Sequence, residues 1–327
     1  MIPSKKTVKS SLISRPVDWR FRVSVCIAFL CENRKKIVCV TDNRVSFGDF
    51  SAERTAWKNY PLLNNWCVLC CGDDVEHVDH IIGKSKVNCS NAIRKLKRQL
   101  EPEEVADAVD LAYSEQLQAH IENKILRKLS FDSESFKATG KAKCTSEIYA
   151  EITHKISQMD FSLTFLICGF DQDEEGHILC VQGDSAPTSY DSIGFWSIGT
   201  GAPAALSTLS FHISKGDLGI YYSPLATAVY FALASKFMAE SARDVGKSTF
   251  VSILDAQGAK TVQFVSDAGI EAIRKIWNKH GAPRFPKRLV NDAVPKLIYS
   301  AEGENKVMSN HTQKPRQRAS RTSELES

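Results

Sequence analysis

Four groups in the first quarter of the chain have the chemistry of an acyl-transfer site: the hydroxyl of Ser24, the carboxylate of Asp42, the amine of Lys58 and the backbone amide of Gly72. A serine hydroxyl attacks a carbonyl only with a base in hydrogen-bond reach, and a backbone N–H can hold the oxyanion that develops. Cys26 is a competing thiol nucleophile, although its place in an alternating strand reads as a buried cysteine. Other spacings are weaker. Cys67-Val68-Leu69-Cys70 has the spacing of half a metal or redox site but sits in an apolar run without a second pair, so packing is the better reading. His77 and His80 lie three apart on an expected helix, with no third ligand near, and read as surface histidines. Gly199-Thr200-Gly201 lacks the third glycine of a dinucleotide loop and reads as a tight strand-to-helix turn. Gly246-Lys247-Ser248-Thr249 resembles the end of a phosphate-binding loop, but Ser241 stands where that loop needs its first glycine, which rejects the motif.

For the four groups to meet, short strands must carry them. Val23–Leu30 and Ile37–Arg44, joined by a polar turn from Glu32 to Lys36, read as an antiparallel hairpin, and Trp66–Gly72 as a further strand. Ser24, Asp42, Lys58 and Gly72 then fall at strand ends or beside them. Ser46 to Thr55 reads as a loop. Asp73 and Asp74 can cap a helix through Val75, Val78, Ile81 and Ile82. Pro102-Glu103-Glu104 opens a second helix to about Leu129, Ser130 to Thr145 is a polar loop or insertion, and a shorter helix covers Ser146 to Met159. Phe161–Phe170 and His177–Val181 form a second hairpin, Ile193–Ile198 a strand, and Thr249–Leu254 with Thr261–Val265 a last hairpin. Ser223 as N-cap and Pro224 at the first helical position start the apolar helix Leu225 to Ala242, and Gly269 to Lys279 is a terminal helix. Strands in two groups, each followed by helices, give an α+β layered domain.

The order of these motifs resembles the proteasome β-subunit branch of the N-terminal-nucleophile hydrolases. A hydroxyl residue opens the first strand, Asp42-Asn43-Arg44 closes the second, Lys58 opens a third and Gly72 ends a fourth. Phe165-Leu166-Ile167-Cys168-Gly169-Phe170-Asp171, Ser197-Ile198-Gly199-Thr200-Gly201-Ala202 and Arg243-Asp244 after a long helix follow in that family's order, over roughly Val23 to Ser266. The resemblance implies a four-layer αββα sandwich. It implies cleavage of Val23–Ser24, so that Ser24 becomes a nucleophile whose own α-amine is the base. Lys58 would lower the pKa of that amine, Asp42 would orient Lys58, Gly72 N–H would take the oxyanion, and Thr200, Asp244 and Ser248 would buttress the nucleophile. It also implies ring-like homo-oligomers and a peptide or amide substrate. Two positions depart from the family's proteolytic members, which have Thr where Ser24 stands and Gly where Val23 stands. Such rings also contain non-catalytic members, in which Asp42 and Lys58 would be an ion pair of the scaffold.

The sequence has 327 residues, 43% hydrophobic and 24% charged, with a formal charge of +4. That is the composition of a globular protein able to bury a large core, and its small charge argues against dedicated nucleic-acid binding. No apolar run approaches a membrane span, no signal-type apolar core follows the basic first twenty residues, and the ten cysteines sit mostly in strand-like runs, which together make the cytoplasm the expected location. Residues 1–22 read as a flexible arm or pro-segment, 23–280 as the hydrolase-like domain with a helical insertion at about 100–157, and 281–327 as an extension that is disordered from about 303. No cofactor or metal is expected.

Overall fold

The computed structural model describes residues 24–47, 50–53, 58–72, 75–183, 185–215, 220–242, 245–257 and 262–283. The expected arm at 1–22 and most of the expected extension lie outside them. Alternation along the strands dictates the layering. In β1 (Cys26–Cys31) every residue is buried, as is nearly all of β2 (Lys36–Asp42), so these strands are covered on both faces. Ile27, Phe29 and Cys31 share a core with helices, whereas Cys26, Ala28 and Leu30 share one with strands of a second sheet.

The other strands follow the same rule. A separate hairpin pairs β3 (Arg44–Phe47) with β4 (Phe50–Glu53). Next come β5 (Asn59–Leu63) and β6 (Trp66–Cys71), the helices α1 (Val78–Leu96), α2 (Pro102–Ile121), α3 (Ser133–Lys143) and α4 (Ser146–Gln158), and then β7 (Thr164–Phe170), β8 (Gly176–Gln182), β9 (Ser185–Ser189) and β10 (Phe195–Ile198). The chain continues through α5 (Ala202–Ser214), α6 (Leu225–Ala239), β11 (Thr249–Asp255), β12 (Gln263–Phe264) and α7 (Asp267–Ile276). One antiparallel sheet has the order β10-β1-β2-β11-β12 and the other β5-β6-β7-β8-β9. Leu69, Cys71, Leu166 and Ile178 of the second sheet meet Ala28, Leu30 and Cys39 of the first in one shared core. Trp66, Val68 and Cys70 of β6 point the other way, onto Ile81 of α1 and Val109 of α2, while α5, α6 and α7 cover the far side of the first sheet. The fold is therefore mixed α+β with two antiparallel sheets. The described residues up to Gly281 form one compact unit, and no described helix is long and apolar enough to cross a membrane.

Four sequence expectations are corrected. Ser130 to Thr145 is not a loop: Asp132 accepts from Ser135 N–H at 2.7 Å as an N-cap, and Phe136 joins Leu126 and Ile152 in a small core of its own. Short polar helices of this kind are held by caps and a few apolar residues, which composition hides. Ser46 to Thr55 contains most of the β3–β4 hairpin. Ser223 does not cap α6. Pro224 holds the cap position with ψ of 149°, and the free Leu225 N–H is taken by the Glu32 carboxylate at 3.1 Å, from the β1–β2 turn. The apolar residues of α6 pack within the chain. Ala228, Val229, Ala232, Leu233 and Phe237 are buried against β1, β2, α5 and α7. The expected second helix also changes character at Ile121, passing through a π-turn (Glu122–Leu126) and a 3₁₀ turn (Arg127–Leu129).

Candidate active site

Three chain segments bring Ser24, Asp42 and Lys58 together. Ser24 lies just before β1, and Asp42, the last residue of β2, donates its N–H to Val25 O at 3.2 Å. Lys58 immediately precedes β5 and is tied to β6 by Cys70 N–H, which donates to its carbonyl at 3.2 Å. The Lys58 ammonium donates to Ser24 Oγ at 2.5 Å, to Asp42 Oδ1 at 2.8 Å and to the Arg44 carbonyl. The Ser24 hydroxyl in turn donates to Asp42 Oδ1 at 2.5 Å. Val25 N–H reaches the same oxygen at 3.1 Å, and Gly246 N–H reaches Oδ2 at 2.9 Å. Ser24 and Asp42 are 0% exposed, and the Lys58 side chain 12%.

This arrangement limits who can act as base. Three acceptors surround the Lys58 Nζ, matching the three N–H donors of an ammonium. The Ser24 proton is directed to Asp42. The backbone at Ser24 has φ of +148°, a region that costs a non-glycine residue on the order of 1–3 kcal/mol. The Ser24 carbonyl accepts from Gly201 N–H at 3.1 Å. Gly199, at φ of +94°, lies beneath it, where a Cβ would come within 2.4 Å of that oxygen.

The remaining candidates divide. Gly72 follows β6 with φ of +149°, and a Cβ there would meet Ser162 O at 2.4 Å, so only glycine fits. Its neighbour Cys71 packs beside the Ser24 carbonyl, for a Cβ on Gly199 would lie 3.0 Å from Cys71 Sγ. Thr200 sits in the turn that receives the Ser24 carbonyl, yet no hydrogen bond joins its side chain to Ser24, Asp42 or Lys58 among the described residues. Ser248 accepts from Asn43 Nδ2 at 3.2 Å, one residue beyond Asp42. Asp244 lies outside the described residues. Cys26 turns into the intersheet core, with Cys71 Sγ at 3.3 Å, and burial together with the Cys71 thiol pushes its own thiol well above the usual range. It is therefore a buried thiol and not a poised nucleophile.

Cys67 faces the second sheet's partner while Cys70 faces the helices, so the pair cannot share a ligand. All ten cysteines are free. His80 is exposed, but His77 departs from the surface reading: it stacks on Phe161 with ring centroids 4.1 Å apart. Among the described residues no group of three His, Cys, Asp or Glu side chains is placed to hold a metal ion.

Sequence reasoning missed three backbone partners of the site, at Val25, Arg44 and Gly246. Gly246 alone left a signal. A Cβ there would sit 2.7 Å from Arg44 Cβ, so its glycine lets the loop before β11 approach Asp42 rather than a phosphate. A 750 Å³ cleft, lined by Pro61, Trp66, Leu100 and Phe170, lies at the opposite end of β5, β6 and β7 and does not include these groups. No protein-family model matches the chain, and a search of curated proteins finds no match to it.

Proposed function

We propose that the chain is a self-processing amide hydrolase of the N-terminal-nucleophile type, similar to proteasome β subunits and built as a four-layer αββα sandwich, with Ser24 as nucleophile. The observation that carries this reading is the meeting of the Ser24 hydroxyl, the Asp42 carboxylate and the Lys58 ammonium within 2.5–2.8 Å of one another at three strand ends. The layering of two helix-covered sheets is compatible with it.

Processing comes first, because Ser24 is buried in the intact chain and has an amide where the mechanism needs an amine. Ser24 Oγ attacks the Val23 carbonyl carbon, its proton passing by way of Asp42 to the departing Ser24 nitrogen. The C–N bond breaks, an ester joins Val23 to Ser24 Oγ, and water hydrolyses that ester to give a chain that begins at Ser24. The φ of +148° at Ser24 supports this step, since cleavage releases the constraint on its nitrogen side. In the mature chain the Ser24 α-amine, with a reference pKa of about 8, takes the Oγ proton, and the nearby Lys58 ammonium lowers that pKa by like-charge repulsion. Attack on a peptide or amide carbonyl gives an acyl ester, and Gly72 N–H is the proposed oxyanion donor.

A second reading has one observation in its favour. Asp42 accepts four hydrogen bonds from three separate segments, which would serve a non-catalytic, scaffold-forming member of a homo-oligomer equally well. Intact-mass measurement separates the two. A species beginning at Ser24, acylated at that residue by a β-lactone, supports the hydrolase. A full-length chain that resists the β-lactone refutes it and leaves the scaffold.

A further inference from the structure

We infer that Lys236 is a positioning residue for Asp42, acting through the backbone of the Gly246–Lys247 loop. The inference rests on the hydrolase reading for its effect on rate, but the structural link stands apart from it. Lys236 is a charged residue in the last turn of the apolar helix α6 and is 0% exposed. Its ammonium donates to the carbonyls of Gly246 at 2.8 Å and Lys247 at 3.0 Å, and to the Glu240 carboxylate one turn along the helix. The other side of the Gly246 residue donates its N–H to Asp42 Oδ2 at 2.9 Å. Lys236 thus grips one end of a residue whose other end holds the catalytic carboxylate.

The grip is itself anchored. Arg274 of α7 forms a two-pronged pair with Glu240 at 2.7 and 2.8 Å, donates to the Lys247 carbonyl at 3.2 Å, and stacks over the Phe237 ring at 3.9 Å. Such an arrangement is costly unless something requires it, because a buried ammonium must be fully hydrogen-bonded. Any apolar residue would fill the α6 position, but none could hold two loop carbonyls. Asp42 accepts on both carboxylate oxygens, so a slack Gly246 loop would let the carboxylate turn away from Ser24 and Lys58.

Charge on Lys236 is what maintains the grip. Burial pulls its pKa down, with Arg274 adding to that, while Glu240 and Asp42 oppose it, leaving a value of about 8. A 660 Å³ surface cleft lined by Glu240, Lys247, Ser248, Glu271 and Arg274 brings solvent to the network. Above that pH the neutral amine holds the loop less firmly.

The test uses full-length wild type, Lys236→Met and Glu240→Gln, each followed from pH 6 to 10. Two quantities are read: hydrogen-exchange protection of the Gly246 amide, corrected for intrinsic base catalysis, and the rate of Val23–Ser24 cleavage by intact mass. In Lys236→Met both should fall at least about tenfold, and in wild type both should decline as the pH rises through the Lys236 value. Glu240→Gln removes a group that raises that value, so its decline should begin at a lower pH than in wild type. Folded Lys236→Met with wild-type Gly246 protection, or a Glu240→Gln decline at the wild-type pH, overturns the inference. Should Lys236→Met fail to fold, Glu240→Gln decides, since Lys236 keeps both loop carbonyls there. Protection that follows Lys236 in a wild type that never cleaves supports the link and refutes the hydrolase. Cleavage at the wild-type rate in folded Lys236→Met overturns the positioning role and leaves the hydrolase reading standing.

Discussion

Lys58→Met is the most informative single change, because it removes an ammonium while keeping much of the side chain's length. Asp42 is fully buried and retains only Ser24 Oγ, Val25 N–H and Gly246 N–H, three neutral donors. Removing one partner of a buried pair costs about 3–5 kcal/mol, because the charge left behind is uncompensated. The lower end applies here. The Lys58 side chain is 12% exposed, so water can reach the vacated position, and three donors still face the carboxylate. With an m value of about 3 kcal/mol/M, a loss of about 3 kcal/mol lowers the urea midpoint by about 1 M, and a total stability of 5–15 kcal/mol leaves the variant folded. Asp42→Asn alone should also destabilise, but the double variant should fall short of the sum by about 1–3 kcal/mol because the two groups act on each other. Under the proposed chemistry, cleavage at Val23–Ser24 collapses in Lys58→Met. A midpoint shift below about 0.3 M with an additive double variant, the behaviour of an exposed pair, would refute the buried link. Cleavage at the wild-type rate would remove Lys58 from the mechanism.

Ser24→Ala should leave a full-length chain by intact mass while costing only about 1–2 kcal/mol in urea unfolding, the value of one buried hydroxyl's hydrogen bonds; any chain beginning at residue 24 in this variant refutes Ser24 as nucleophile. Gly72→Ala should lower stability by about 2–4 kcal/mol in thermal melts, since φ of +149° and a Cβ 2.4 Å from Ser162 O both oppose it, and a loss under about 0.5 kcal/mol would show that the β6 end relaxes freely. His177 supplies a pH dependence: burial alone pulls its pKa down, but Asp191 at 2.7 Å and Asp171 at 3.2 Å raise it above the ordinary value. A raised folded value means that its stabilisation is complete below about pH 6.5 and is lost as the pH climbs through the folded value, so the urea midpoint should fall on the alkaline side in wild type and stay flatter in His177→Gln.

Much of the architecture is legible because local patterns and tertiary demands agree. Ile37–Val40 reads as a strand from its β-branched residues, and the polar Thr41-Asp42 that closes it marks the strand's end. The turn from Glu32 to Lys36 fixes the hairpin register, pairing Cys31 with Lys36 and Cys26 with Thr41. That register carries Asp42 back towards Val25 and hence towards Ser24. Lys58 is harder to place, since reaching Asp42 requires a whole sheet to pack on another. Its position follows from the two alternating faces of β6, which put Leu69 and Cys71 against the first sheet and so carry the β5 end alongside. The segment Ser130 to Thr145 fails for the opposite reason. Its helix depends on the Asp132 cap and on Phe136, which packs against Phe131 among otherwise polar residues, and composition outweighs one cap in any window average.

Lys236 shows where sequence reading stops. In the sequence, Leu225–Ala239 reads simply as an apolar helix, and nothing in it singles out its one lysine. That reading treats the helix alone. Once β1, β2, α5 and α7 enclose it, the apolar residues have neighbours within the chain and the lysine is the residue that needs explaining. Besides Glu240 one turn on, its partners are two carbonyls of a loop ten and eleven residues away, and backbone carbonyls carry no sequence signature. The same holds at Asp42, where two of four donors are the amides of Val25 and Gly246. Side chains that could do chemistry can be nominated from their types and spacing. The groups that fix their geometry are often main-chain atoms, visible only through indirect marks such as a glycine whose Cβ would collide or a charged residue with no route to solvent.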